Sequence, residues 1–380
     1  MLIFQSLPCL QKIPLWYLFG ALILPINILL GQKVNHDPIT FDLTNFRKVT
    51  FTSPEDRDRY HQSIIRGMED VMGPLPDRKS LPSLNIRKID SLRTDKYIKY
   101  KIDFLAHENE RVSANLYMPV DHDPRIKLAG ILALHPTGEK GKEIVDGKGP
   151  YPNRAYAKEL AERGYVVIAP DYPSFGDLKN HDFSSDRYQS GTMAGIFYHM
   201  RSVDVLEHLD IIDRERIGVI GHSLGGHNAI FLAAFDPRIK VVVSSCGWTL
   251  FPYYDLDVII GKHFGGRFGC WAQQRYMPLF RDKYHLNLED FPFDFDQAIF
   301  AIAPRAFFSN SPLHDNDFYV KGVEKGMINI KRLYNWLGVS SKLEVHYPDA
   351  DHDFPTDVRT QAYSFLDRQL SHSPLPHFIE

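Results

Sequence analysis

Cysteine is scarce in this chain, with three residues in 380, at Cys9, Cys246 and Cys270. They make no C-x-x-C pair and no disulfide framework, so a redox motif or a small stapled scaffold is excluded. Excess positive charge is also lacking. The 44 Lys and Arg stand against 47 Asp and Glu, a net of −3, and without a basic field no nucleic-acid partner is expected. Internal repeats and low-complexity stretches are missing too, which excludes a repeat array. What remains is a chain with 44% hydrophobic residues, long enough to bury a large core as one α/β domain with insertions.

The longest apolar run lies at the N-terminus. Lys12 precedes Ile13–Leu30, a stretch broken by Pro25 and Asn27, and Gly31-Gln32-Lys33 then turns polar. A charged start, an apolar stretch and a small residue at the exit are the pattern of a secretory signal peptide over 1–31. The same run is long enough for a single membrane anchor, which is the alternative. Both place the remaining chain outside the cytoplasm, secreted or periplasmic in the first case and membrane-anchored in the second. In such a compartment Cys246 and Cys270 are free to form one disulfide, with two buried thiols as the other outcome.

Residues 32–95 read as an N-terminal extension. The stretch 33–52 shows no regular pattern, and then Ser53-Pro54-Glu55-Asp56 supplies an N-cap, a first-turn proline and first-turn acids. A helix is predicted from there to Met72, packing through Tyr60, Ile64, Met68 and Met72, and stopping at Gly73-Pro74. Residues 96–104 and 111–118 alternate in side-chain character around a short polar turn, which predicts an antiparallel hairpin.

Beyond 128 the rhythm changes. Short apolar strands at 129–134, 165–169, 217–220, 241–243, 306–309 and 342–346 alternate with helical stretches at 153–163, 191–206, 224–235, 318–337 and 356–370. Continuously apolar strands alternating with helices predict a mostly parallel sheet covered on both faces. Residues 247–296 break the alternation and are rich in aromatics and glycine. They read as a lid-like insertion over the C-terminal edge of the sheet, where open α/β sheets bind ligands. Trp248 and Trp271 are its candidate substrate contacts, and residues 373–380 form a tail.

The chemistry centres on Ile217-Gly-Val-Ile-Gly221-His222-Ser223-Leu224-Gly225-Gly226, an apolar strand running into a glycine-flanked serine and then a helix. Strand, G-x-S-x-G, helix is the nucleophile elbow of an α/β-hydrolase fold. A serine hydroxyl needs a base to take its proton, and the base needs a carboxylate to fix its tautomer. In this fold the acid and then the histidine follow the serine. Asp315 lies in the loop after strand 306–309, with Asp317 as the alternative acid or as the cap of a helix beginning at Phe318. His352 lies in the loop after strand 342–346.

The oxyanion hole needs two N–H donors, assigned to Leu224 after the nucleophile and to Thr137 in Leu134-His-Pro-Thr-Gly138, since Pro136 has no N–H. Tyr172 and Phe175, in Asp171-Tyr-Pro-Ser-Phe-Gly-Asp177, are expected to line the cleft. His222 and His227 read as packing. Asp349, Asp351 and Asp353 surround His352 without a partner cluster at metal spacing, so neither a metal nor any other cofactor is expected.

The stretches LHPTG, VVIAPDYPSFGD, GVIGHSLGGHNA and YPDADHDFP resemble the dienelactone hydrolase and acetyl-xylan-esterase-like branch of the α/β-hydrolases, over residues 96–372. The resemblance implies ester hydrolysis through a serine acyl-enzyme, with Ser223, Asp315 and His352 as the triad and Thr137 and Leu224 as oxyanion donors. Dienelactone hydrolases proper use a cysteine nucleophile, so their lactone substrate does not transfer. The glycine-rich elbow is also similar to that of prolyl-oligopeptidase-type peptidases. The expectation is therefore a secreted serine esterase acting on a small-molecule or carbohydrate ester. A small-peptide peptidase or a non-catalytic binding protein on the same scaffold is the alternative.

Overall fold

The structure, a computed structural model, describes residues 37–375 apart from 44–46, 121, 185–186 and 255–261. The leader at 1–31 and the end of the tail lie outside the described residues, so the reading of that leader stays an expectation. Eleven strands are described: β1 (Ile39–Leu43), β2 (Arg47–Phe51), β3 (Arg87–Arg93), β4 (Tyr97–His107), β5 (Glu110–Pro119), β6 (Leu128–Leu134), β7 (Val166–Pro170), β8 (Ile212–His222), β9 (Val241–Ser245), β10 (Ala306–Asn310) and β11 (Leu343–His346). The α-helices are α1 (Pro54–Met72), α2 (Tyr156–Glu162), α3 (Gly191–His208), α4 (Leu224–Phe235), α5 (Leu279–Asp282), α6 (Phe295–Ile302), α7 (Val320–Trp336) and α8 (Thr356–Gln369).

Nine strands form one sheet in the order β11-β10-β9-β8-β6-β7-β5-β4-β3. Pairing is parallel from β7 through β6 to β11 and antiparallel among β3, β4, β5 and β7. Side chains of a strand alternate between faces, so an apolar run feeds two cores. Val166 and Ile168 join the core beneath α1, α3, α4, α6 and α7, whereas Val167 and Ala169 join the one beneath α2 and α8. Both faces are thereby closed, and the C-terminal ends of β6, β8, β10 and β11 open onto one edge.

Helix α1 begins where its cap predicts. The Asp56 carboxylate accepts from the N–H groups of Thr52 and Ser53 at 2.7 and 3.1 Å, satisfying donors that precede the first turn. Ile64, Met68 and Met72 are buried, as that face requires.

Three features depart from the sequence reading. The stretch 33–52 is not irregular: β1 and β2 pair antiparallel, and Phe41 and Phe51 pack edge-on at 5.3 Å. Strand β3 carries no alternation because all seven of its residues are exposed at the sheet edge. Helix α6 is buried on all sides, Asp296 and Gln297 included, so its polar residues do not mark a solvent face. Among the described residues no helix is long and apolar enough to cross a membrane.

Candidate active site

Register brings the loops together. Leu134 of β6 pairs with Gly221 of β8, His222 of β8 pairs with Ser245 of β9, and Asn310 of β10 pairs with His346 of β11. The ladder continues past the strand ends. Ser223 N–H donates to Ser245 O at 2.8 Å, Cys246 N–H to Asn310 O at 2.8 Å and Ser311 N–H to His346 O at 2.9 Å. The loops carrying Asp315 and His352 are then zipped to each other, with Leu313 N–H on Pro348 O and His314 N–H on Ala350 O.

Ser223 has φ 55° and ψ −120°, a left-handed conformation rare for a residue with a side chain. The strain persists because the surrounding backbone leaves no alternative. A Cβ on Gly221 would sit 2.1 Å from Gly225 O, and one on Gly225 would sit 2.0 Å from Leu134 O. The turn holds Ser223 at the N-terminus of α4, with no capping bond from its side chain. Leu224 is the first helical residue, so its N–H has no acceptor within the helix, and the helix dipole adds to the local positive potential.

His352 and Asp315 meet directly. Nδ1 of the imidazole lies 3.0 Å from each carboxylate oxygen of Asp315. Asp315 is buried, and its Oδ1 also accepts the N–H groups of Asp317 and Phe318 at 2.9 Å each. Asp317 is half exposed, with its nearest oxygen 4.0 Å from His352 Nδ1. The geometry therefore selects Asp315 as the partner of His352. Asp317 does not cap a helix at Phe318: α7 starts at Val320, and Asp315 takes the Phe318 N–H. Burial works against a charged His352, but the bond and charge of Asp315, with the charge of Asp317, outweigh it and lift its pKa above 6.5.

Two cavities meet at the serine. The first, about 490 Å³, is lined by Thr137, Ser223 and Leu224 and walled by Tyr254, Trp271 and Phe318. The second, about 930 Å³, is lined by Thr137 and Ser223 again, with His222, His352, Asn153 and Arg154. Thr137 and Ser223 stand at the junction of the two. The segment 247–296 contributes Tyr254, His263, Phe264, Cys270, Trp271 and Tyr276 to the wall of the first cavity.

Three expected cleft residues lie elsewhere. Tyr172 and Phe175 are buried behind the loop after β6, with the Tyr172 ring stacked on His135 at 4.0 Å. Trp248 is 1% exposed and spends its indole N–H on Ser309 Oγ at 2.9 Å. Aromatic residues next to a cleft pack into the core more readily than they face water. Of that group, Trp271 alone borders a cavity at the serine.

The sequence reading passed over the group that fixes the histidine loop. Arg154 is 4% exposed, and its guanidinium donates to the Asp353 carboxylate and, at 3.1 Å, to the His352 carbonyl. Asn310 Nδ2 and Cys246 Sγ both donate to the Asp353 carbonyl, at 2.9 and 3.1 Å. His222 packs against His352 with ring centroids 4.9 Å apart and shares a 2.9 Å hydrogen bond between its Nδ1 and Ser245 Oγ. Cys246, Asp315 and His352 bring ligand-type atoms within 4.8 Å of one another. The carboxylate and Nδ1 in that group are already bonded to each other, so we read it as a hydrogen-bonded pair beside a thiol rather than a metal centre. Cys246 and Cys270 are both free thiols, and Cys270 Sγ lies 3.0 Å from Tyr254 Oη.

The sequence pattern of the alpha/beta hydrolase family matches residues 147–370. Together with the sheet order and the elbow, this match means that the chain belongs to the α/β-hydrolase family. It is similar to YtaP of Bacillus subtilis, at 25% identity over 311 residues, covering 79% of this chain and 96% of YtaP. Among solved structures it resembles a glucuronoyl esterase from Solibacter usitatus, with a TM-score of 0.66 at 17% identity, covering 86% of this chain and 96% of that one. It also resembles acetyl xylan esterase 1 from Thermoanaerobacterium sp., with a TM-score of 0.51 at 16% identity, covering 83% and 94% of the two chains.

Proposed function

We propose that this protein is an exported serine esterase that hydrolyses carboxylic esters of carbohydrate through an acyl-enzyme. The observation that carries the reading is the Asp315–His352 pair, Nδ1 at 3.0 Å from both carboxylate oxygens, on the sheet edge where the strained elbow presents Ser223. With Nδ1 held by Asp315, Nε2 is the nitrogen left to serve the serine. The Ser223 proton passes to Nε2 as Oγ bonds the ester carbon. Thr137 and Leu224 N–H groups hold the oxyanion. His352 then delivers that proton to the departing alcohol as the C–O bond breaks. Water repeats the sequence, leaving its hydroxyl on the acyl carbon and returning the proton to Ser223.

The carbohydrate component rests on the relatives named as glucuronoyl and acetyl xylan esterases and on the polar side chains Asn153, Arg154 and Asp351 that line the second cavity. Export rests on the apolar leader at 13–30. The test is hydrolysis of p-nitrophenyl acetate by the purified protein, with Ser223→Ala expected to lose about 10³-fold or more in kcat. Equal activity in the variant, or faster turnover of peptide amides than of esters, overturns the reading.

A further inference from the structure

The two cavities at Ser223 are not equivalent, because the imidazole stands on one side only. His352 has to reach both the serine oxygen and the leaving oxygen, so the alcohol departs on its side. His352 lines the second cavity and not the first. The acyl group, which points away from the base, therefore falls into the first. An acetyl group would leave most of that space empty, since a volume of about 490 Å³ lies within the roughly 300–1,000 Å³ that holds a drug-sized ligand.

Its walls are made of rings. Trp271 lies 5.5 Å from Tyr254 and 6.3 Å from Phe318, and His227 lies 4.8 Å from Trp271, all centroid to centroid. Several of their polar atoms are committed to one another. Tyr254 Oη bonds Cys270 Sγ, Gln273 Nε2 donates to the Cys270 carbonyl at 2.9 Å, and Thr137 Oγ1 lies 3.5 Å from Tyr276 Oη. A plain alkyl chain would forgo the ring faces, whereas an aromatic acyl group would use them.

Beside Trp271 Nε1, which has no hydrogen-bond partner among the described residues, the exception is His227. It is one helical turn beyond the nucleophile, borders this cavity, is 7% exposed, and has an Nδ1 with no hydrogen-bond partner among the described residues. Burial keeps it neutral, with its pKa lowered to about 3, so the ring offers one donor and one acceptor. We propose that the first cavity is the acyl site and takes a hydroxylated aromatic acyl group, its ring stacked among Trp271, Tyr254 and Phe318 and its hydroxyl paired with His227. This assignment rests on the esterase reading above.

The experiment compares four methyl esters with the same leaving group and similar carbonyl reactivity: acetate, hexanoate, 3-phenylpropanoate and 3-(4-hydroxyphenyl)propanoate. The hydroxyphenyl ester is expected to exceed acetate and hexanoate in kcat/KM by about tenfold or more. In His227→Phe the ratio of hydroxyphenyl to phenyl ester is expected to fall about tenfold, and in His227→Gln to recover in part. Both esters are assayed on one preparation, so loss of folded protein cancels from the ratio. Acetate or hexanoate as the best substrate, or an unchanged ratio in His227→Phe, overturns the acyl assignment while Ser223-dependent hydrolysis keeps the esterase reading. No Ser223-dependent hydrolysis of any of the four overturns both.

Discussion

Arg154 holds the backbone of His352: its guanidinium donates to the His352 carbonyl at 3.1 Å and to the carboxylate of the next residue, Asp353. We read Arg154 as a positioning residue, because these bonds set where the imidazole sits without touching Nδ1. Its positive charge also lowers the His352 pKa, opposing Asp315. Arg154→Ala is expected to cut kcat by about 10²-fold through misplacement of the base. It should also move the acid limb of kcat/KM to higher pH. Arg154→Lys keeps the charge and loses the fork, so the limb should stay near wild type while kcat falls. Identical pH limbs in wild type and Arg154→Ala would show that the residue only supports the fold.

Asp315 and Asp317 separate by the same logic. Asp315→Asn removes both the tautomer control and the charge that raises the His352 pKa. Its kcat is expected to drop by about 10⁴-fold, and any residual activity should persist to lower pH. Asp317→Asn, 4.0 Å away and half exposed, should cost less than about tenfold. Under the proposed mechanism His352 has to be neutral to act as the base, so wild-type kcat/KM should rise with pH through a midpoint above 6.5. A pH–rate series on the three proteins checks all of this, and reversal of the two losses would reassign the acid.

Stability should depend on pH through a different set of histidines. Burial lowers the pKa of His135 to about 4 and of His199 and His227 to about 3, and places His222 well below 6.5. The native state keeps these rings neutral, whereas the unfolded chain takes protons near 6.5. More protons bound by the unfolded state means that stability falls as pH drops from about 6.5 toward 3. His352, with a raised pKa, contributes in the opposite direction, and its stabilisation is lost as pH rises through its folded value. Four groups outweigh one, so the urea midpoint at pH 5.5 is expected to lie below that at pH 7.5.

The elbow offers a test of packing. A Cβ at position 225 would lie 2.0 Å from the Leu134 carbonyl oxygen, a contact that only backbone movement relieves. Gly225→Ala is expected to destabilise the fold by about 2–3 kcal/mol. It should lose activity even where folded, because β6 and the loop after it that carries Thr137 are pushed away from Ser223. Full activity with an unchanged melting temperature would mean that the turn is looser than these contacts imply.

The parts legible in the sequence are those with local causes. The caps and face of α1, the β4–β5 hairpin and the apolar strands from β6 onward follow from turn residues, alternation and burial on both faces. The meeting of Asp315 with His352 on the sheet edge that carries Ser223 was legible because the fold dictates both their order and their position after a strand. Arg154 was not, because its partners lie about two hundred residues away and a lone arginine carries no pattern. Tyr172, Phe175 and Trp248 were misplaced for a related reason: aromatic character says that a ring is buried, but not whether a ligand or the core buries it. Hairpin β1–β2 was missed because it rests on α7, where Asn329 and Arg332 bond the Asp42 and Thr40 carbonyls, contacts with no local signal.

The acyl-enzyme itself is the most direct test. Protein mixed with p-nitrophenyl acetate and quenched in acid within milliseconds should carry one acetyl group, and peptide mass spectrometry should find it on Ser223. An acetyl group on another residue, or hydrolysis with no covalent species at any quench time in a preparation that loses nothing on Ser223→Ala, would contradict the account.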